Sequence, residues 1–271
     1  MGSDAQVFVF DDARLREEVV PDLVRLLRTG VPDGWLAELI ERVEGQAGLD
    51  DGWRSLLLPH LRARPTDLAR HCTWLGPDMR LVGDELARAE RRQDWRPCPS
   101  ATCQERHHCP LHERTDLGLN DALNGLFQAG VAERCLGPCQ FVGRSWHPAQ
   151  YLDLLDELGV AAGDPLLELL WALELRGGAL GHRFGNGDGI SGWLTAEETA
   201  DLAGRLAALP LPGYAPTFET MRGFGGPRGG GPYELPGWTW PALSLSFVRT
   251  VATIAAGDGK GVLWGNDVGP L

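Results

Sequence analysis

Lysine is almost missing from this chain of 271 residues, which has a single one, Lys260, among its 25 basic residues. Because 37 residues are acidic, the formal net charge is −12. A protein that binds nucleic acid neutralises phosphates with a basic surface, and this charge balance does not supply one. The local cluster of Arg88, Arg91 and Arg92 is interpreted as the solvated face of a helix. We therefore expect no nucleic-acid partner.

Long apolar runs are missing as well. No stretch approaches the 18 apolar residues that a membrane span requires. The N-terminus lacks the basic stretch followed by an apolar stretch that is typical of a signal peptide. We therefore expect no membrane partner and a cytoplasmic location. The abundance of alanine, glycine, leucine and arginine indicates a bacterial genome of high GC content.

The common sequence signatures of catalysis are also missing. The chain has no His-Glu-x-x-His motif, no phosphate-binding loop ending in Gly-Lys-Ser/Thr and no Gly-x-Ser-x-Gly elbow. Residues 186–189 resemble part of a calcium loop, but oxygen ligands are lacking where such a loop begins. The sequence thus does not decide whether the protein is an enzyme.

Cysteine and histidine are present, and they are concentrated in one segment. Five of the six cysteines lie within residues 98–139, together with His107, His108 and His112. The spacing is Cys98-x4-Cys103-x5-Cys109-x2-His112, followed by Cys135-x3-Cys139. A reducing cytoplasm disfavours disulfides, whereas four Cys or His ligands on closely spaced turns suit tetrahedral zinc. The segment therefore predicts a zinc site.

Two ligand sets are compatible with this pattern. The simplest set is Cys98, Cys103, Cys109 and His112, and in the rival set Cys135 and Cys139 replace two of these residues. An iron–sulfur cluster is disfavoured because Cys-x2-Cys is missing, and unligated reduced cysteines are the remaining alternative. No general base stands at the usual offset from the cluster, so we expect the zinc to be structural.

The first of these sets resembles the compact Cys-Cys-Cys-His zinc finger. That family usually has three residues between its last cysteine and its histidine, whereas two residues separate Cys109 from His112. The resemblance implies a compact zinc site.

Apolar periodicity predicts one strand, many helices and a final strand. The strands are expected at 6–10 and 262–264, and no internal repeat is evident. The helices are expected at 15–27 with a break at Pro21, 34–43, 53–61, 65–72, 79–92, 120–129, 148–158, 165–175, 196–209 and 243–256. The helix expected at 196–209 starts at Thr195-Ala-Glu-Glu198, which fits a capping box. This order predicts an α+β fold, mostly helical with a small sheet, in which residues 1–271 form a single globular domain and 97–140 an inserted Cys/His zinc knot.

Two short stretches carry a further resemblance. Gly192-Trp-Leu-Thr-Ala-Glu-Glu198, running into an alanine- and leucine-rich helix, resembles a group of uncharacterised bacterial proteins of unknown function. The entry Val7-Phe-Val-Phe10 into a helix at Leu15 is similar to the way those proteins begin. The resemblance covers a minor part of the chain and implies a small α+β fold with no known activity.

Three functions follow from these patterns. The first is a zinc-stabilised cytosolic binding or regulatory protein whose partner is another protein. The second is a hydrolase or transferase that acts on a small molecule and contains zinc in its scaffold. The third, a nucleic-acid-binding zinc-finger protein, is disfavoured by the net charge.

Overall fold

The computed structural model describes residues 5–44, 52–64, 80, 84, 117–143, 148–177, 189–213, 239–266 and 268. The chain divides into two compact units. Unit 1 consists of Met1–Asp12, Leu136–Arg176 and Gly185–Val268, and unit 2 of Ala13–Cys135, Gly177–Phe184 and Gly269–Leu271. The single-domain organisation, with 97–140 as an insertion, stays a prediction.

Helices make up most of the described residues. The α-helices are α1 (Asp12–Arg14), α2 (Val20–Thr29), α3 (Gly34–Glu44), α4 (Leu58–Ala63), α5 (Leu117–Cys135), α6 (Leu152–Glu157), α7 (Pro165–Leu175), α8 (Ala196–Ala207) and α9 (Trp240–Gly257). Two π-helical turns, Leu15–Val19 and Trp53–Leu57, precede α2 and α4, and a 3-10 turn spans Pro148–Gln150. Helix α5 is much longer than the helix predicted at 120–129, whereas the helices predicted at 65–72 and 79–92 lie outside the described ranges, apart from residues 80 and 84.

Unit 1 contains a four-stranded antiparallel sheet. Its strands are β1 (Ala5–Phe10), β2 (Leu136–Gly143), β3 (Gly189–Leu194) and β4 (Gly261–Asn266), in the order β2-β1-β4-β3. The predicted α+β class, mostly helical with a small sheet, is confirmed. The sequence predicted β1 and β4 but not β2 and β3, because glycine interrupts the apolar pattern of both and β2 also contains Pro138.

Strand β1 is buried on both faces of the sheet. Ala5, Val7 and Val9 belong to the hydrophobic core of unit 1. Phe8 and Phe10 alternate with them and therefore point to the opposite face, yet they are only 3% and 1% exposed. Burial on both faces explains why β1 is an almost uninterrupted apolar run rather than an alternating one.

The core of unit 1 is centred on helix α9, which packs against α8 and against strands β1, β2 and β4. Helix α7 packs against β3. This contact requires a glycine, because a Cβ atom at Gly192 would overlap the carbonyl oxygens of Ala172 and Leu173, the latter at 2.6 Å. The strand therefore lies directly on the backbone of the last turns of α7.

Two stretches of unit 2, residues 15–23 and 53–61, share one local structure. Each begins with a five-residue π-helical turn and continues as an α-helix with proline at its second position, Pro21 in α2 and Pro59 in α4. The order of buried, half-buried and exposed residues is the same in both stretches. The two stretches thus share a local structural motif, while the absence of an internal sequence repeat stays an expectation.

The repeated motif has a physical basis in the two prolines. A proline inside an α-helix lacks the N–H donor, and its ring clashes with the carbonyl four residues earlier. The wider π turn accommodates this, and its hydrogen bonds run from the N–H of Val20 to Leu15 O and from the N–H of Leu58 to Trp53 O. Pro21 thus opens α2 after a widened turn instead of breaking a continuous α-helix.

In the described part of the chain, no helix is both long and apolar enough to cross a membrane.

Candidate metal centre

Four of the six predicted zinc ligands lie outside the described residues. They are Cys98, Cys103, Cys109 and His112. The structure describes the other two, Cys135 and Cys139, which form the rival pair.

Cys135 is the last residue of helix α5 and is only 3% exposed. The helix end that carries Cys135 is held by an ion pair and a hydrogen bond within unit 2. Arg134 donates from Nη2 to Glu18 Oε2 at 2.6 Å, and Arg14 Nη1 donates to the backbone oxygen of Arg134 at 3.1 Å. The side-chain bond between Arg134 and Glu18 lowers the pKa of the Glu18 carboxyl and raises the pKa of the Arg134 guanidinium. The backbone that presents Cys135 is therefore well anchored.

The ring of Trp35 adds a second restraint on the same arginine. The Arg134 guanidinium carbon lies 5.7 Å from the centroid of the ring, within the range of a cation–π contact. The indole N–H of Trp35 donates to Asp22 Oδ2, which fixes the plane of the ring. Trp35 also lies so close to α5 that a Cβ atom at Gly130 would approach it within 2.9 Å. The last turns of α5 thus need a glycine at position 130.

Cys139 lies in β2, the strand at one edge of the described sheet, where it is half-buried and pairs with Phe8. Phe10 pairs with Leu136, so β2 has one residue more than β1 over this interval. The extra residue forms a bulge at Gly137–Pro138, directly before Cys139. A bulge of this kind bends the strand and redirects the side chains beside it. Cys139 therefore sits where the chain leaves regular sheet geometry.

The described residues do not assemble the predicted site. No disulfide joins Cys135 to Cys139. Among the residues that the structure describes, no group of three or more His, Cys, Asp or Glu side chains could hold a metal ion. The predicted coordination of zinc thus stays a prediction, and the structure adds the setting of the rival pair.

Sequence reasoning missed the environments of two half-buried carboxylates in unit 1. The first, Glu198, was predicted to complete the capping box of α8. Its Oε2 accepts from the backbone N–H of Thr195 at 3.0 Å, and Thr195 Oγ1 accepts from the N–H of Glu198 at 3.3 Å, so the capping box is confirmed. The same carboxylate also binds Arg176, which is 3% exposed, through bonds of 2.7 and 2.9 Å. The capping box has a sequence signature, whereas the distant arginine has none.

The second carboxylate is that of Glu174, a half-buried residue in the last turn of α7. Its Oε1 accepts from Gln150 Nε2 at 2.6 Å, and its Oε2 is buried. Burial raises the pKa of this carboxyl, because water no longer stabilises its charged form, and the bond from Gln150 opposes the shift only in part. In sequence Glu174 looks like any polar residue of an amphipathic helix, so no pattern could have identified it.

Comparison of the chain with protein-family models, with curated proteins and with solved structures finds no match.

Proposed function

We propose that this protein is a zinc-stabilised binding or regulatory protein in which residues 97–140 hold one structural zinc ion and contact another protein. The observation that carries the proposal is the concentration of five of the six cysteines and three histidines within 42 residues of the sequence. Closely spaced Cys and His residues are the usual ligands of structural zinc, and such sites are closed by four protein ligands.

The setting of the segment's C-terminal end supports a structural role. Cys135 ends a helix fixed by the Arg134–Glu18 ion pair, and Cys139 follows the bulge at Gly137–Pro138. Cys135 is thus presented from a fixed backbone, as a ligand of a closed structural site would be. We also propose a cytoplasmic location, because zinc-binding thiolates need a reducing compartment.

The first test is metal analysis of the purified protein. We expect one zinc per chain, and Cys103→Ser and Cys109→Ser should each lose most of it. Cys72→Ser is the matched control, since Cys72 is the one cysteine outside the cluster and should keep the metal. Equal zinc content in all three variants and the unmodified protein would exclude the predicted site.

The second test distinguishes the two ligand sets. Replacing zinc with cobalt(II) allows the number of thiolate ligands to be counted from the ligand-to-metal absorption. The set of Cys98, Cys103, Cys109 and His112 predicts three thiolates and no effect of Cys139→Ser. If Cys139→Ser instead weakens the absorption, the rival pair takes part in binding.

The third test separates structural from catalytic zinc. Four protein ligands, with bonds of about 2.3 Å to sulfur and 2.0–2.1 Å to nitrogen in X-ray absorption spectra, are expected for a structural site. Removing the metal should then expose residues 97–116 to proteases, because the binding energy of structural zinc is largely folding energy. Three protein ligands plus a water would favour the hydrolase or transferase alternative instead.

A further inference from the structure

The side chains of Glu174 and Gln150 connect two elements of unit 1. Glu174 lies in the last turn of α7, and Gln150 ends the 3-10 turn Pro148–Gln150, which packs against α7. Their hydrogen bond, 2.6 Å from Gln150 Nε2 to Glu174 Oε1, joins this turn to α7.

The other oxygen of the same carboxyl is unsatisfied. Oε2 of Glu174 is buried and has no hydrogen-bond partner among the described residues. A buried carboxylate is normally paired with a cation, because losing water without compensation is costly for a charge. Glu198 shows the usual solution, since Arg176 binds both of its oxygens. Glu174 has no such partner in the described structure.

The charged groups of the elements packed against α7 are engaged elsewhere. The turn Pro148–Gln150 and strands β3 and β4 contain no titratable residue. Helix α8 contributes Arg205, which binds Asp201 at 2.9 Å and Asp164 at 3.4 Å. The remaining charged residues on α7 and α8 and at their ends are Glu168, Arg176, Glu197 and Glu198. Each described cation near α7 thus has a carboxylate partner other than Glu174.

We propose that Glu174 and Gln150 form a proton-operated latch, which holds the 148–150 turn on α7 while the carboxyl is neutral and releases it when the carboxyl ionises. The neutral acid tolerates a buried Oε2, whereas the charged form must reach water to be solvated. The bond from Gln150 favours the charged form, but the burial of Oε2 without a partner opposes it more strongly. Bringing Oε2 to water moves the Glu174 side chain away from Gln150, and their bond breaks.

The direction of the pH effect follows from the raised pKa of Glu174. A group whose pKa is higher in the folded than in the unfolded state stabilises the fold fully below the unfolded value, here 4.5. That contribution is lost as the pH rises through the folded-state pKa. The latch is therefore closed at acidic pH and opens as the pH rises through the folded-state pKa of Glu174. This proposal does not depend on zinc.

Hydrogen exchange of the full chain, followed by mass spectrometry between pH 4 and 8, tests the latch. After correction for the intrinsic exchange rate, we expect the protection of residues 148–158 to fall at least severalfold as the pH rises. In Glu174→Gln, whose side chain stays neutral, that protection should not depend on pH. Glu168→Gln, on the exposed side of the same helix, is the matched control and should behave like the unmodified protein.

Two further measurements separate a latch from a merely buried acid. Gln150→Ala removes only the exposed partner, so it should lower the protection of 148–158 at acidic pH, where the latch is closed, and change it little at higher pH, without preventing folding. The carboxyl carbon of Glu174, observed by NMR and assigned from its loss in Glu174→Gln, should titrate above pH 4.5. Titration at or below that value, or equal pH dependence in the unmodified protein and Glu174→Gln, would overturn the proposal.

Discussion

The buried pair of Arg176 and Glu198 offers the sharpest test of how unit 1 is stabilised. The substitution to be made is Arg176→Met, which keeps an unbranched side chain of similar length and removes the guanidinium. The arginine side chain is 3% exposed and that of Glu198 is 19% exposed. The substitution thus leaves a carboxylate that is mostly withdrawn from water and has lost its counter-charge.

The expected loss of stability can be worked from the contacts. Arg176 donates from Nη1 to the Trp193 carbonyl at 2.8 Å and to Glu198 Oε2 at 2.7 Å, and from Nη2 to Glu198 Oε1 at 2.9 Å. Removing one partner of a buried ion pair costs about 3–5 kcal/mol. Because Glu198 keeps some access to water and its bond from the N–H of Thr195, we expect about 3 kcal/mol, the lower end of that range.

The assay is urea unfolding followed by circular dichroism, with the free energy of unfolding extrapolated to water. Two further variants show how much free energy of unfolding is lost when weaker contacts are removed. Thr195→Ala removes only the hydroxyl cap of α8 and should cost about 1 kcal/mol. Arg205→Ala breaks a partly exposed pair with Asp201 and should cost less than about 1 kcal/mol.

The double variant Arg176→Met with Glu198→Gln tests whether the loss comes from an unpaired charge. Gln at position 198 can still complete the capping box, so the double variant should be more stable than Arg176→Met alone. A cost below about 1 kcal/mol for Arg176→Met, or a strictly additive double variant, would refute the reasoning.

Three further expectations concern single residues of unit 1. Gly192→Ala should lower the free energy of unfolding by about 3 kcal/mol or more, because its Cβ would overlap backbone carbonyls of α7. Gly204→Ala, at an open position of α8, should instead raise it by about 0.5–1 kcal/mol. Thermal melting separates the two variants, and equal effects would contradict the packing of β3 on α7. Glu174→Gln should become more stable relative to the unmodified protein as the pH rises above 4.5, measured by urea unfolding at several pH values, and a difference that does not change with pH would argue against a buried acid. Thr199→Val should raise the free energy of unfolding by about 1 kcal/mol because the buried Thr199 hydroxyl has no partner among the described residues. Thr250→Val should bring no such gain, since the Thr250 hydroxyl donates to Ser246 O at 2.9 Å; a gain in both variants would point to packing instead.

The sequence alone sufficed for elements that have a clear apolar pattern or carry their own end signal. The apolar stretch 6–10 predicted β1, and helical spacing of leucines and valines predicted most of α2 and α3. The capping box at Thr195 and Glu198 marked the start of α8 to the residue, because both of its hydrogen bonds are made within four residues of chain. The Cys/His spacing likewise predicts a zinc site from the sequence alone, and that prediction awaits metal analysis.

Only the tertiary structure decided the features that depend on partners distant in the chain. Strand β2 contains glycine and proline, which lower its strand propensity, and it becomes a strand by pairing with β1 through a bulge. Helix α5 extends to Cys135 because packing within unit 2 stabilises residues whose periodicity alone indicates a shorter helix.

Glu198 and Glu174 illustrate the difference between what the sequence determines and what the tertiary structure determines. Both are glutamates in helices, and nothing in the neighbouring sequence separates their electrostatic environments. The fold brings Arg176 to one and only Gln150 to the other, so one carboxylate is paired while the other is buried without a counter-charge. Charge pairing depends on distances in space, and the order of residues along the chain does not reveal them.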